Sequence, residues 1–400
     1  MTERAGRRPS SRKAVSADPG APATGDVDPV DVVAELAGDV AIEPGEGISS
    51  ESEGFDQISA EDTEPGPSAA GWIARRGLIA IMVLGVIAAP LFYRGDAGQT
   101  KLTWMAIGLI YIIFGLSINV LVGYAGQISL GHQAFVGVGA FTSAYIVSVS
   151  HASFWVAFVL AGVSGAISAA LLGFIALRLR GLFLALITLA YGTVAQFTLF
   201  NISSLTGGGA GARAPRPAGF TSNRQFAYLC MAVTAALLYV DWRMVRSKVG
   251  RAIFAIRENE LSAASFGINI TGYKLLAFTV SGVFAGLGGS LFAHQQQLVQ
   301  ASSFDFTFAL TLVLMVVVGG LGSRVGVLIG STFFALFPLV FNAISLYTAL
   351  IGAIALLLTL TRFHGGIAEQ IAPILRWFGG GTLRKHPRRV VRTGGESVSP

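Results

Sequence analysis

Polar and apolar positions divide this 400-residue chain into regions of very different character. Residues 1–70 mix Ala, Gly, Pro and Ser with acidic side chains and never sustain an apolar run. From residue 77 onward, apolar runs follow one another at lengths that suit a hydrocarbon core, which ~20 residues of helix cross and for which ~17–25 are tolerated. Runs near 77–93, 103–122, 133–149, 154–177, 181–200, 226–242, 274–294, 307–319, 325–341 and 345–361 predict about ten transmembrane helices. The third, eighth and ninth are short or glycine-interrupted, so broken or re-entrant spans are expected there. The fold class this implies is an all-α polytopic membrane protein.

One long polar insert, residues 243–274, separates the sixth and seventh runs. Spans flank it, so it is expected to lie in water against one face of the bundle. Two readings stay open: a helix that passes force from a soluble partner into the membrane, or a loop resting on lipid headgroups. Within the spans, Ala161, Gly165, Ala169 and Gly173 recur at every fourth position, as do Ser281, Ala285 and Gly289. Such small-residue rows let membrane helices approach closely.

Composition agrees with a membrane protein: 53% of residues are hydrophobic, 12% are charged, and mean hydropathy is +0.65. The charge is unevenly placed. Residues 1–70 carry 15 acidic and 5 basic side chains, and residues 71–400 carry 7 and 23. The acidic, aromatic-poor first segment lacks the apolar surface to order itself and is expected to be a disordered cytoplasmic tail. Its basic start lacks the apolar core of a signal peptide. The later basic residues flank spans, which points to topology and lipid contact rather than to nucleic acid. With the N-terminus inside, the inner loops hold Arg178 and Arg180, then Arg243, Arg246, Lys248, Arg251, Arg257 and Lys274, then Arg324. Both termini are therefore expected in the cytoplasm, with 71–365 as the transmembrane domain and 366–400 as a basic tail. Cys230 is the single cysteine and the five histidines are scattered, so no disulfide within the chain and no metal site is expected.

Two glycine-rich interruptions are the candidates for chemistry. In the first, Gly123, Gly126 and Gly131 are interleaved with Tyr124, Gln127, Ser129, His132 and Gln133. In the second, Gly319, Gly320 and Gly322 precede Arg324. Irregular backbone at membrane depth survives only where protein or water satisfies its polar groups. Gly123, Gly126, Gln127, Ser129, Gly131, His132, Gly319, Gly320 and Gly322 are thus candidates to line a translocation path. An ordinary turn between spans is the alternative. No phosphate-cradling G-x-x-x-x-G-K-[ST] occurs, and carboxylates fall near expected span ends, as with Asp96, Asp241 and Asp305. Carriers coupled to ions or protons usually need buried ionisable groups. A membrane path without its own energy source points to a separate ATPase.

The run Gly123–Phe141 closely resembles a signature of the permease subunits of branched-chain amino acid ABC importers, of the LivM type. The runs Leu177–Gly192, Leu205–Gly208, Gly250–Asn269 and Val316–Ser323 resemble further motifs of that family in the same order, covering roughly residues 75–365. The segment after Gly208 departs from the family pattern. The resemblance implies a non-enzymatic permease subunit in the cell membrane, with ATP bound by partner subunits and no cofactor of its own. Implied partners are a second homologous permease, two ATP-binding subunits and an extracytoplasmic substrate-binding protein, all in contact with membrane lipid. Relatives that move urea or amides are an alternative within the family, and a self-sufficient carrier or channel is the alternative outside it. The insert 243–274 becomes the coupling loop. Arg251, Phe254, Glu258 and Leu261 lie at helical spacing and can face a partner together; Arg257, Glu260, Ala263, Ala264 and Gly267 complete the implied coupling set.

Overall fold

The computed structural model describes residues 88–93, 95–176, 179, 181–340 and 354. Both tails, 1–70 and 366–400, lie outside the described residues, as do most of the first expected span and, but for residue 354, all of the last. Among the described residues the chain is almost wholly helical. Helix α1 (Gly95–Ile118) runs into a wider π-turn, Asn119–Tyr124. Then come α2 (His132–Ser148), α3 (Phe154–Ala176), α4 (Leu182–Phe197) and the single turn α5 (Ser203–Thr206). Helices α6 (Asn223–Arg246), α7 (Lys248–Glu258), α8 (Glu260–Ser265) and α9 (Ile270–Gln296) follow, and α10 (Phe306–Gly319) and α11 (Arg324–Val340) close the series.

Among the described residues, five helical stretches are long and apolar enough to cross a membrane: Gly98–Tyr124, Phe154–Ile175, Leu182–Asn201, Asn223–Arg246 and Ile270–Gln296. Helices α10 and α11 are shorter and apolar. The later helices begin at residues whose side chains satisfy a free backbone N–H of the first turn. Ser247, Asn259, Asn269 and Asp305 accept from Gly250, Ser262, Gly272 and Phe308. Ser222 and Gln225 form a reciprocal box at the start of α6.

The centre of the bundle is α9, packed against α1, α2 and α3. Both small-residue rows find their purpose here. A side chain at Gly165 would collide with the Gly282 carbonyl, and one at Gly286 with the Ala161 carbonyl, so α3 meets α9 almost backbone to backbone. On another face of α9, a side chain at Gly289 would collide with Val136 of α2. The same four-residue period places Trp155, Val159, Val163, Ile167 and Leu171 on the outward, exposed face of α3. Helices α2 and α9 run in the same direction: His132 at the start of α2 pairs with Ser281 in mid-α9, and Ser143 further along α2 pairs with Ser290 further along α9. At that far end Phe114, Phe141, Phe200, Phe292, Phe304 and Phe308 form an aromatic layer, with Phe141 and Phe304 centroids 5.8 Å apart and Phe304 and Phe308 6.0 Å apart. A two-residue strand pair, β1 (Ala212–Arg213) with β2 (Leu298–Val299), closes over the same end.

Candidate functional site

The two glycine-rich breaks meet. The π-turn at the end of α1 widens the helix and points Asn119 across to the second break, where its Oδ1 accepts the Gly322 N–H at 2.8 Å. A side chain at Gly123 would fall on the Asn119 side chain and 2.7 Å from the Gly322 nitrogen, so only glycine permits this approach. The carbonyl of Gly123 in turn accepts from the Arg257 guanidinium, which reaches in from α7. The aliphatic stem of Arg257 covers Gly126, whose φ of +66° is natural for glycine. One arginine of the polar insert therefore touches the first break, and its Nη1 lies 3.3 Å from where a side chain at Gly322 in the second break would sit.

A second tie lies beside the first. Asp241, near the end of α6, is fully buried. Its Oδ2 accepts from Arg324 Nε at 2.5 Å and from the Tyr124 hydroxyl at 3.2 Å, while Oδ1 has no partner among the described residues. Arg324 opens α11 just after the second break, and Tyr124 ends the π-turn of the first. The Tyr124 ring packs edge-on to Phe254 of α7 at 5.3 Å. Asp241 and Arg324 thus join α6 to both breaks, and Phe254 and Arg257 join α7 to the first.

Most polar side chains of the first break have partners within the protein. His132 Nε2 lies 2.8 Å from Ser281 Oγ and its Nδ1 lies 3.3 Å from Ser129 Oγ. Ser281 and Ser117 exchange hydrogen bonds with each other's carbonyls at 2.7 and 2.9 Å, locking α1 to α9. Gln133 differs. It is fully buried on α2 against Gly192 of α4, and neither of its side-chain polar atoms has a partner among the described residues. At the opposite end of the bundle, His294 joins Ser143 at 3.0 Å to the Pro215 carbonyl at 2.6 Å.

The insert is a bent pair of helices rather than one continuous helix. Asn259 is extended (φ −157°) and caps α8, so Leu261 does not continue the helical face of Arg251 and Glu258. Phe254 is turned inward onto Tyr124 and Ala263 is buried, which removes both from the exposed face. The exposed residues of the pair include Arg251, Glu258, Leu261, Ala264 and Phe266, with Leu261 82% and Phe266 84% exposed. Gly267 takes φ +75° where α8 ends. Glu260 pairs with the buried Lys274 of α9 at 2.6 Å, anchoring the bend to the central helix.

Residues 101–361 match the family described as branched-chain amino acid transport system / permease component. The chain belongs to that family. It is 35% identical over 282 residues to the high-affinity branched-chain amino acid transport system permease protein LivM of Salmonella typhimurium and, over the same length, to LivM of Escherichia coli strain K12. Each match covers 64% of this chain and 65% of the relative, slightly under two thirds of the relatives' length. A probable branched-chain amino acid transport permease protein LivM of Methanocaldococcus jannaschii is 25% identical over 265 residues, 56% of this chain and 75% of that one. No solved structure matches the chain significantly. The protein is thus a polytopic membrane permease by family and by its apolar helices.

Within this permease, the sequence-derived path residues do converge in part. Gly123, Gly126, Gly322 and Arg257 share one junction. Gly319 instead packs against Gly326 and Gly330 of α11, closing the α10–α11 corner, and Gly131 abuts the Thr188 carbonyl of α4. Gly320 holds the corner open with φ +120°. Gln127 turns back on its own loop, to the Ala125 carbonyl at 3.3 Å. Asn119, Asp241 and Arg324 were not legible as site residues. A lone asparagine inside an apolar run, and an aspartate inside the last turns of a span, are the signals that would have flagged them.

Proposed function

We propose that the chain is one of two permease subunits of an ATP-driven importer of branched-chain amino acids, forming half of the translocation path. The observation that carries this reading is the grip of Arg257 on the Gly123 carbonyl, beside Gly322. A displacement of the α7–α8 pair by a docked partner would reach both glycine-rich breaks at once. Exposed Leu261 and Phe266 give such a partner apolar anchors. In this reading ten spans cross the membrane, the α7–α8 pair is cytoplasmic between the sixth and seventh, and both termini are cytoplasmic. ATP is bound by two partner subunits, a second homologous permease completes the path, and an extracytoplasmic binding protein delivers the substrate. Gln133, with both polar side-chain atoms unpartnered among the described residues, is the group we assign to meet a passing solute.

The test is uptake of labelled leucine, isoleucine and valine into proteoliposomes holding the chain alone or together with the second permease, the ATP-binding subunits and the substrate-binding protein. Uptake is expected only with the partners and internal or external ATP on their side. Uptake by the chain alone on a sodium or proton gradient would make it a self-sufficient carrier. ATP-dependent uptake of urea or short amides in place of the amino acids would reassign the substrate.

A further inference from the structure

Helix α6 has two faces with different fates. Phe226, Cys230, Thr234, Leu237 and Asp241 turn into the bundle. On the outward face Ala232, Ala235 and Ala236 are exposed, and they lead to exposed Tyr239 and Val240 and then to Arg243 and Arg246. A groove of about 710 Å³ opens at this end, lined by Tyr239, Val240, Arg243, Met244, Arg246 and Ser247. Trp242 lies beside it, its ring 5.9 Å from that of Tyr239 and 4.3 Å beneath the Arg246 guanidinium. Neither Arg243 nor Arg246 has an ion-pair partner among the described residues. Lys248 and Arg251 follow, and no acid occurs from residue 242 to 257.

We infer that this groove binds the headgroup of an anionic phospholipid of the cytoplasmic leaflet, with an acyl chain along the alanine strip. The inference rests on the reading that the α7–α8 end is cytoplasmic. Three properties point to lipid. The groove lies where a long apolar helix ends, at headgroup depth. Its floor is apolar while its rim carries unpaired guanidiniums, which match a phosphodiester better than a point charge would. The Tyr239–Trp242 pair has the amphipathic rings that favour the membrane interface. The site would hold the end of α6, and with it Asp241, in register with the two glycine-rich breaks.

The test is retention of phosphatidylglycerol by the full-length chain in detergent, read by native mass spectrometry, with phosphatidylcholine as the neutral comparison. Arg243→Gln with Arg246→Gln is expected to weaken phosphatidylglycerol binding by roughly thirtyfold. Arg213→Gln, at a basic residue of the strand β1, should leave it unchanged, and Arg243→Lys with Arg246→Lys should restore most of it. If the double glutamine variant is not monodisperse, Arg243→Gln alone is read, with about a fivefold loss expected. Equal retention of the two lipids by the unaltered chain would overturn the inference. So would unchanged retention in the glutamine variants, or displacement of the lipid by inorganic phosphate at matched concentration. A chain lacking residues 1–65 that alone retains phosphatidylglycerol would show that the acidic tail fills the groove, which also overturns it. None of these readouts depends on transport, so failure here leaves the importer assignment untouched.

Discussion

Arg324 and Asp241 offer an asymmetric perturbation. Asp241 is fully buried, and Arg324 supplies its only charged partner among the described residues at 2.5 Å, with the Tyr124 hydroxyl at 3.2 Å as a neutral second. Removing one member of a buried pair costs ~3–5 kcal/mol, because the other charge is left uncompensated. Arg324→Ala belongs at the low end, about 3 kcal/mol, since the arginine side chain is 30% exposed and the space it vacates admits water. Asp241→Asn should cost less, about 1–2 kcal/mol. The amide keeps the volume and can keep Tyr124, while Arg324 retains solvent and its weaker contact to the Asp241 carbonyl at 3.5 Å. Asp241→Asn combined with Arg324→Gln should be less destabilised than the sum of its parts, with a coupling of ~0.5–3 kcal/mol. The assay is thermal loss of the monodisperse peak of the full-length chain in detergent, all variants in one buffer. Arg324→Ala as stable as Asp241→Asn, or strict additivity in the double variant, would refute the buried-charge argument.

Four further outcomes follow from named contacts. Gly131→Leu should abolish leucine uptake at matched membrane levels, and Gly131→Ala should impair it, because a Cβ lands on the Thr188 carbonyl; Gly126→Leu should also block uptake, and Gly126→Ala should be milder, costing ~1–2 kcal/mol for its left-handed backbone. Gln127→Ala and Ser129→Ala should lose less than either leucine variant, and normal uptake in both leucine variants would make the break an ordinary turn. Arg251→Glu with Arg257→Glu should uncouple partner ATPase activity from uptake, most of the effect coming from Arg257→Glu; coupled uptake in the double variant would defeat the assignment. Gln133→Leu should lower uptake while leaving thermal stability equal or higher, since it removes an unpaired buried amide, and undiminished uptake would remove Gln133 from the path. Deleting residues 1–65 should leave uptake largely intact, and loss of insertion would reveal a packed role for the tail.

The hydrophobic pattern by itself determined that this chain forms membrane helices, roughly where they lie, and that α2, α10 and α11 would be short. Span length follows from bilayer thickness, which a sequence can be measured against without knowing its neighbours. The rows Ala161–Gly165–Ala169 and Ser281–Ala285–Gly289 were equally legible as seams, because the helical period is local. Their partners were not: only packing reveals that Gly165 meets Gly282 while Gly289 meets Val136. The same limit governs the site. Both glycine-rich breaks stood out in the chain, yet nearly two hundred residues separate Gly123 from Gly322, and local pattern carries no information about that meeting. The division of the insert was partly written in its sequence, since Asn259 is a good helix cap. Charge periodicity masked it and placed Phe254 on the wrong face. Asp241 was passed over because an acid near a span end costs little if it faces water. Its burial, and the arginine that compensates it, exist only once α1 with its π-turn, α6 and α11 have come together.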